Sequence, residues 1–151
     1  MCKGPVGVIL QRSVAGKGGG GMGPDLGPDL QVRLIFGDVL TLGPGKAALL
    51  DHIIAEGSIS AAGRRMAMSY TRAWSLVEEM NAAFRVPLVV TARGGAGHGG
   101  ATVTPEGVAV LQTYRRIEAK LHSVCADDIA EIAAAMRGEA RDAGLSGGAS
   151  E

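Results

Sequence analysis

The sequence predicts a mainly α protein with a small β part, and three stretches carry that prediction. Gly57 to Met80 holds two short helical patterns separated by a tight turn. Behind them, Pro87–Thr91 and Ala101–Thr104 are β-type runs on either side of a glycine-rich loop. From Pro105 an apolar stripe then continues to Gly138 without a helix breaker. A helix pair, then strand–loop–strand, then a long helix make a winged helix-turn-helix with a long C-terminal dimerisation helix.

Ser58 is an N-cap residue, and Ala62, Gly63 and Met66 follow at helical spacing. Small side chains at Ala62 and Gly63 let two helix backbones approach closely, as a helix-turn-helix crossing needs. Ala67 and Met68 read as the turn and Ser69 as the next cap. On the second helix Ala73, Trp74, Val77 and Met80 form the apolar stripe. The other face carries Tyr70, Thr71, Arg72 and Ser75, all able to hydrogen-bond, which suits a helix that reads DNA. Small-residue helix pairs also occur in bundles that never touch DNA, so the pair alone leaves both readings open.

Composition sets bounds. A chain of 151 residues makes one domain with a modest core. Its 24 glycines and few aromatics point to unstructured stretches. Cys2 and Cys125 lie far apart without a pairing pattern, which fits a reducing compartment. No apolar run reaches membrane-spanning length, and Val6–Leu10 is too short and too early for a signal peptide, so a cytoplasmic location is expected. Net charge is zero, an argument against nucleic acid until its distribution is followed. Residues 31–104 carry seven basic and five acidic groups, and residues 105–151 carry five and eight. A mildly basic middle and an acidic tail allow a DNA face with a repelling far side. Binding by a monomer would be modest, and a dimer would help.

In chain order, residues 1–30 contain GKGGGGMGPDLGPDL and read as a Gly/Pro-rich disordered arm, since they bury too little apolar surface to offset ordering entropy. Lys17 and Lys46 each follow glycine, but neither sits in a phosphate-loop frame. Gln31–Leu42 alternates as one strand, or as two bent at Gly37–Asp38. Gly43-Pro44-Gly45 then opens a helix over Lys46–Glu56, with Ala48, Leu49, His52 and Ile53 on one stripe and Gly57 as its stop. His52 reads as a core or interface histidine rather than a ligand.

Gly95 to Gly100 satisfies the Gly-x-Gly-x-x-Gly dinucleotide pattern, but a β-type run follows where that motif needs a helix. As a wing, with Arg93 at its base and His98 at its tip, the loop suits phosphate or minor-groove contact through Gly95, Gly97 and Gly99. A plain flexible hairpin is the alternative on these residues alone. Thr104 caps the last helix, with Pro105 at its first position. Val110, Tyr114, Ile117, Leu121, Val124, Cys125, Ile129, Ile132 and Met136 then step by three and four over roughly 50 Å of helix. So long a stripe needs a partner, and the same helix of a second subunit is the simplest. His122 and Cys125, doubled across a two-fold, would offer four metal ligands. No other ligand pattern supports them, so no metal is expected, and Cys125 reads as a core residue. Residues 139–151 read as a frayed tail, leaving 31–138 as the folded domain.

From about Leu34 to Ile117 the chain resembles the N-terminal DNA-binding domain of the ModE-type molybdate-responsive transcriptional regulators. The resemblance rests on Gly57-Ser58-Ile59-Ser60, Ser69-Tyr70 with Ala73-Trp74, Glu79-Met80-Asn81 and the glycine-rich wing ending in Thr104. The LysR-type helix-turn-helix is similar over Gly57–Met80. The resemblance implies a homodimer joined through the first and last helices and reading a palindromic site in double-stranded DNA. It would place Ser69, Tyr70, Thr71, Arg72 and Ser75 near base edges and phosphates. Arg64, Arg65, Arg93, Gly95, Gly97, His98 and Gly99 complete the expected DNA face. The expected dimer contacts are Leu49, Ile53, Val110, Tyr114, Ile117, Leu121, Val124, Ile129 and Ile132. Members that sense molybdate do so with C-terminal oxyanion-binding β-domains, and no β-rich segment follows Met136. The implied molecule is therefore a stand-alone DNA-binding version, with any effector seated on a separate protein.

The alternative of another class is a winged-helix module that binds a protein partner, which weak positive charge and the acidic tail favour. No enzyme is expected: the sequence holds no nucleophile–base or carboxylate pair, its three histidines fall in unrelated elements, and no cofactor is implied.

Overall fold

A computed structural model of the chain describes residues 30–92 and 99–136, together with the backbone of residues 6–11. Ten elements result: β1 (Val6–Gln11), β2 (Gln31–Phe36), β3 (Leu40–Leu42), α1 (Pro44–Glu56), α2 (Ile59–Arg65), α3 (Tyr70–Ala83), β4 (Val89–Ala92), β5 (Gly100–Val103), α4 (Pro105–Val124) and α5 (Ala126–Ala135). Among the described residues the protein is mainly helical with two small antiparallel sheets.

The first sheet runs β1-β2-β3, and here the expected arm is corrected. Val6–Gln11 pairs along its whole length with Gln31–Phe36, from Val6 opposite Phe36 to Gln11 opposite Gln31. The physical reason lies in VGVILQ itself, whose β-branched residues favour a pleated strand once an edge is offered. The arm residues 1–5 and 12–29 lie outside the described residues. Gln31–Leu42 resolves into the two-strand alternative, turning at Gly37, whose φ of 53° suits glycine.

Helix ends follow their caps. Gly57 closes α1 in the left-handed region, its N–H donating to Ile53 O. The Ser58, Ser69 and Thr104 hydroxyls accept from the backbone N–H groups of Ala61, Arg72 and Gly107, starting α2, α3 and α4. The turn between α2 and α3 centres on Met66–Ala67 rather than Ala67–Met68, with Ala67 at φ 53°. At the crossing, a Cβ on Gly63 would stand 3.2 Å from the Ala73 Cβ, so a small residue is needed there.

One core joins β2, β3, α1, α2, α3, β4, β5 and α4, with Leu49, Leu50, Ile53, Met80, Leu88 and Tyr114 sealed inside. The Tyr114 hydroxyl donates to Val32 O at 2.6 Å, pinning α4 to β2. Burial, and then the Glu118 carboxylate, hold this phenol well above its usual range. On α3 the buried stripe is Ala73, Leu76, Val77 and Met80, while Trp74 is only half-buried at its flank. The sequence stripe chose Trp74 and omitted Leu76, because the large side chain outweighed the three-residue step.

The unbroken terminal helix is also corrected. The ladder is interrupted at Cys125 (φ −95°, ψ 4°), which ends α4 and precedes α5. Cys125 still donates to Leu121 O and accepts from Ile129 N, so the interruption is a single residue. Asp127 and Asp128 lie in the first turn of α5, where carboxylates favour a new helix N-terminus.

Candidate nucleic-acid interface

The exposed side of α3 is fixed from behind. With Ala73, Leu76, Val77 and Met80 buried, Tyr70, Thr71, Arg72 and Ser75 are left in solvent, grouped on the N-terminal half of the helix. Ser69 is exposed beside them, its oxygen engaged as the cap at 3.2 Å from Arg72 N. Among the described residues Arg72 has no ion-pair partner. Tyr70 stands 56% exposed and leans on Trp74, ring centroids 6.1 Å apart and planes 30° from parallel.

α2 brings its basic end to the same region. Arg64 Nη1 donates to Ser60 Oγ at 3.0 Å, and Arg65 Nε donates to Glu56 Oε1 at 2.8 Å. Half of the charge supplied by this pair is therefore offset by Glu56. Between α2, the start of α3 and the base of the β4–β5 hairpin lies a cleft of about 1010 Å³. Ser58, Ser60, Arg64, Tyr70, Trp74, Thr91 and Gly99 are among its lining residues. Arg93, Gly95, Gly97 and His98 fall outside the described residues. Gly99 is exposed at the cleft, and a Cβ there would meet only Ala92 O at 3.9 Å, so internal packing makes no demand for glycine.

Three residues that the sequence did not single out as functional hold the hairpin, one against α3 and two against the start of α4. Asn81 Oδ1 accepts from the N–H groups of Leu88 (2.9 Å) and Val89 (3.1 Å), while its Nδ2 donates to Val89 O at 2.9 Å. The Thr104 N–H donates to Leu88 O at 2.8 Å, and the Thr104 hydroxyl donates to Pro87 O. Gly107 packs so tightly that a Cβ would lie 2.4 Å from Leu88 O. A signal for Asn81 existed in the sequence: an asparagine late in a helix is disfavoured unless its amide has work elsewhere.

The expected dimer residues divide. Leu49, Ile53 and Tyr114 are 0%, 1% and 1% exposed, so the subunit core takes them and they offer no outward surface. Their periodicity was right, but in a small domain the inner face of α1 and of early α4 is used first. Val110 and Ile117 line an apolar groove of about 330 Å³ with Leu34, Phe36 and Phe84. Further along, Leu121 and Ile129 are half-buried, while Val124 and Ile132 are 79% and 67% exposed. Among the described residues no three His, Cys, Asp or Glu side chains gather to hold a metal. Nor is any described helix long and apolar enough to cross a membrane.

No family model matches the chain. Curated proteins do match over about half of it. Molybdenum-pterin-binding protein MopB of Rhodobacter capsulatus is 44% identical over 78 residues, covering 52% of this chain and 29% of MopB. The DNA-binding transcriptional dual regulator ModE of Escherichia coli (strain K12) is 39% identical over 88 residues, 56% of this chain and 34% of that protein. The molybdenum transport protein ModE of Azotobacter vinelandii is 37% identical over 75 residues, 50% of this chain and 28% of its own length. The matched segment thus spans about a third of these relatives.

Proposed function

We propose that the chain is a sequence-specific DNA-binding transcriptional regulator, a winged helix-turn-helix that acts as a homodimer on a palindromic site. The observation that carries this reading is the face of α3. Its back is sealed in the core, and its front groups Tyr70, Thr71, Arg72 and Ser75 beside a cleft bordered by Arg64 and the hairpin base. α3 is the reading helix, entering the major groove by its N-terminal half. Arg72 is the guanine-reading candidate, because its planar fork matches O6 and N7. Arg64 and Arg65 serve phosphates, with Arg93 and His98 on the wing. The likeness to E. coli ModE, whose name states DNA binding, supports the same reading.

The dimer face in this proposal is the outer end of the terminal helices, Leu121, Val124, Ile129 and Ile132, with Ile117 and Val110 leading to it. Exposed apolar side chains at helical spacing need a cover, and a second copy supplies one of matching shape. Two relatives are named for molybdenum-pterin binding and molybdenum transport, so a molybdenum compound enters the proposal as the effector to test, acting on this chain or on a separate effector-binding protein.

Selection from a random duplex library tests the reading. The expected result is a palindrome with half-sites about one helical turn apart, bound far better than scrambled DNA. Arg72→Ala then relaxes base choice at one position per half-site, whereas Arg93→Ala weakens all sequences alike and flattens the salt dependence. Equal losses on specific and scrambled DNA for Arg72→Ala would remove its assignment. Repeating the selection with molybdate shows whether the anion alters binding.

A further inference from the structure

We propose that Tyr70, braced by Trp74, selects thymine by contact with its C5-methyl group; the proposal rests on the DNA-reading function given above. Hydrogen-bonding side chains explain most of the α3 face, since Thr71, Arg72 and Ser75 match the donors and acceptors of base edges. Tyr70 can hydrogen-bond through its hydroxyl too, but most of its side chain is an apolar ring that such contacts leave unused. It is the first residue of α3, its ring is largely in water, and its hydroxyl has no hydrogen-bond partner among the described residues. The core does not need it.

What the structure does supply is a support. Trp74, one turn along, is half-buried and packed against the core, and the Tyr70 ring leans on it at 6.1 Å. Side-chain pairs at i and i+4 attract one another only weakly, so Trp74 biases Tyr70 toward the rotamer that lies against it before any ligand arrives. A large ring with few rotatable bonds then loses little entropy on contact. In the major groove the one apolar feature of any unmodified base is the thymine methyl. An exposed apolar ring, supported on one side at the entering end of a reading helix, is therefore matched to that group. The competing use of a tyrosine here is a hydrogen bond from its hydroxyl to a phosphate, which carries no sequence information.

Deoxyuridine separates these uses, because it pairs as thymine does and lacks only the methyl. With the full chain and a site taken from the library selection, each thymine is replaced in turn and binding is measured by fluorescence anisotropy. We expect one thymine per half-site whose replacement weakens binding about fourfold, the worth of one buried methyl. Tyr70→Phe keeps that penalty, and Tyr70→Ala abolishes it. The proposal is overturned if no thymine shows a penalty, if the penalty survives Tyr70→Ala, or if Tyr70→Phe loses it as fully as alanine does. Failure of the library to enrich any site would instead remove the DNA-reading function on which the proposal stands.

Discussion

Gly107→Ala tests the packing that places the hairpin, and its sign runs against ordinary helix chemistry. In the interior of a helix, alanine is better than glycine by about 1 kcal/mol. At position 107 the added Cβ would lie 2.4 Å from Leu88 O and 2.6 Å from Val103 Cγ1, overlaps that neither neighbour can relieve easily. Leu88 O is backbone, already engaged by the Thr104 N–H, and Val103 is buried at the end of β5. The first turn of α4 must therefore move off the hairpin. That movement stretches the Thr104 N–H bond to Leu88 and the cap from Gly107 N to Thr104 Oγ1, about 1 kcal/mol each. Overpacking adds about 1–3 kcal/mol, so after the gain in helix propensity the net loss is about 2–4 kcal/mol. Gly45→Ala is the internal control, because its Cβ would meet nothing within 4 Å and it lies in the first turn of α1. The control should be neutral or stabilised by about 0.5 kcal/mol. Urea and thermal unfolding of both variants read the difference, and Gly107→Ala should lower Tm by roughly 10–25 °C. A Gly107→Ala protein as stable as Gly45→Ala would refute the close contact between α4 and the hairpin.

Asn81→Ala removes one donor and one acceptor that together serve three backbone groups of Leu88 and Val89. We expect a loss of about 2–3 kcal/mol in urea unfolding, with Asn81→Asp intermediate because it keeps the acceptor oxygens. Tyr114→Phe leaves the buried Val32 carbonyl without its donor and should cost about 1–2 kcal/mol at neutral pH. Because burial, and then Glu118, raise the phenol above its usual range, folding favours its neutral form. That contribution is complete below about pH 10, where the unfolded phenol begins to ionise, and is lost as pH rises beyond it. The stability gap between wild type and Tyr114→Phe should therefore narrow in alkaline unfolding titrations, and a gap constant with pH would contradict this. Glu56→Gln releases Arg65 and removes a negative charge beside the cleft. DNA binding should strengthen by about two- to fivefold at low salt, with the gain fading as salt screens it.

Much of this fold was legible because local chemistry fixes it. Ser58, Ser69 and Thr104 announced three helix starts, Gly57 a stop, and each performs that task through a specific hydrogen bond or a positive φ. Gly63 announced the crossing, since only a small residue admits Ala73 at that distance. What escaped depends on contacts distant in sequence. β1 pairs with a strand twenty residues and more away, so its glycine-rich surroundings suggested an arm instead. Leu49, Ile53 and Tyr114 carry the right periodicity, but periodicity names a buried face without saying whether the subunit or a second copy buries it. At Cys125 no glycine or proline marks the interruption; only the Asp127–Asp128 pair hints at a new helix start. For the interface, the exposed residues of α3 could be read directly, whereas the residues that aim it could not.

Those aiming residues converge on one short piece of backbone. Asn81, near the C-terminal end of α3, holds both N–H groups of Leu88 and Val89. Thr104, at the start of α4, holds the Leu88 carbonyl, and Gly107 lets that helix approach it. Three elements with separate tasks in the proposed regulator (reading helix, wing and dimerisation helix) thus take their relative positions from Leu88–Val89. Side-chain packing alone would tolerate sliding, because apolar contacts are weakly directional. Hydrogen bonds to fixed backbone groups set distance and angle together. For a dimer the consequence is geometric: the separation of the two α3 helices follows from how rigidly each α4 is locked to its own hairpin. Loosening that lock by Asn81→Ala should therefore blur the preferred half-site spacing in a spacer-length series, even on DNA whose half-sites are unchanged. If spacing preference stays as sharp as in the wild type, the helices are positioned by the dimer interface and not by this backbone junction.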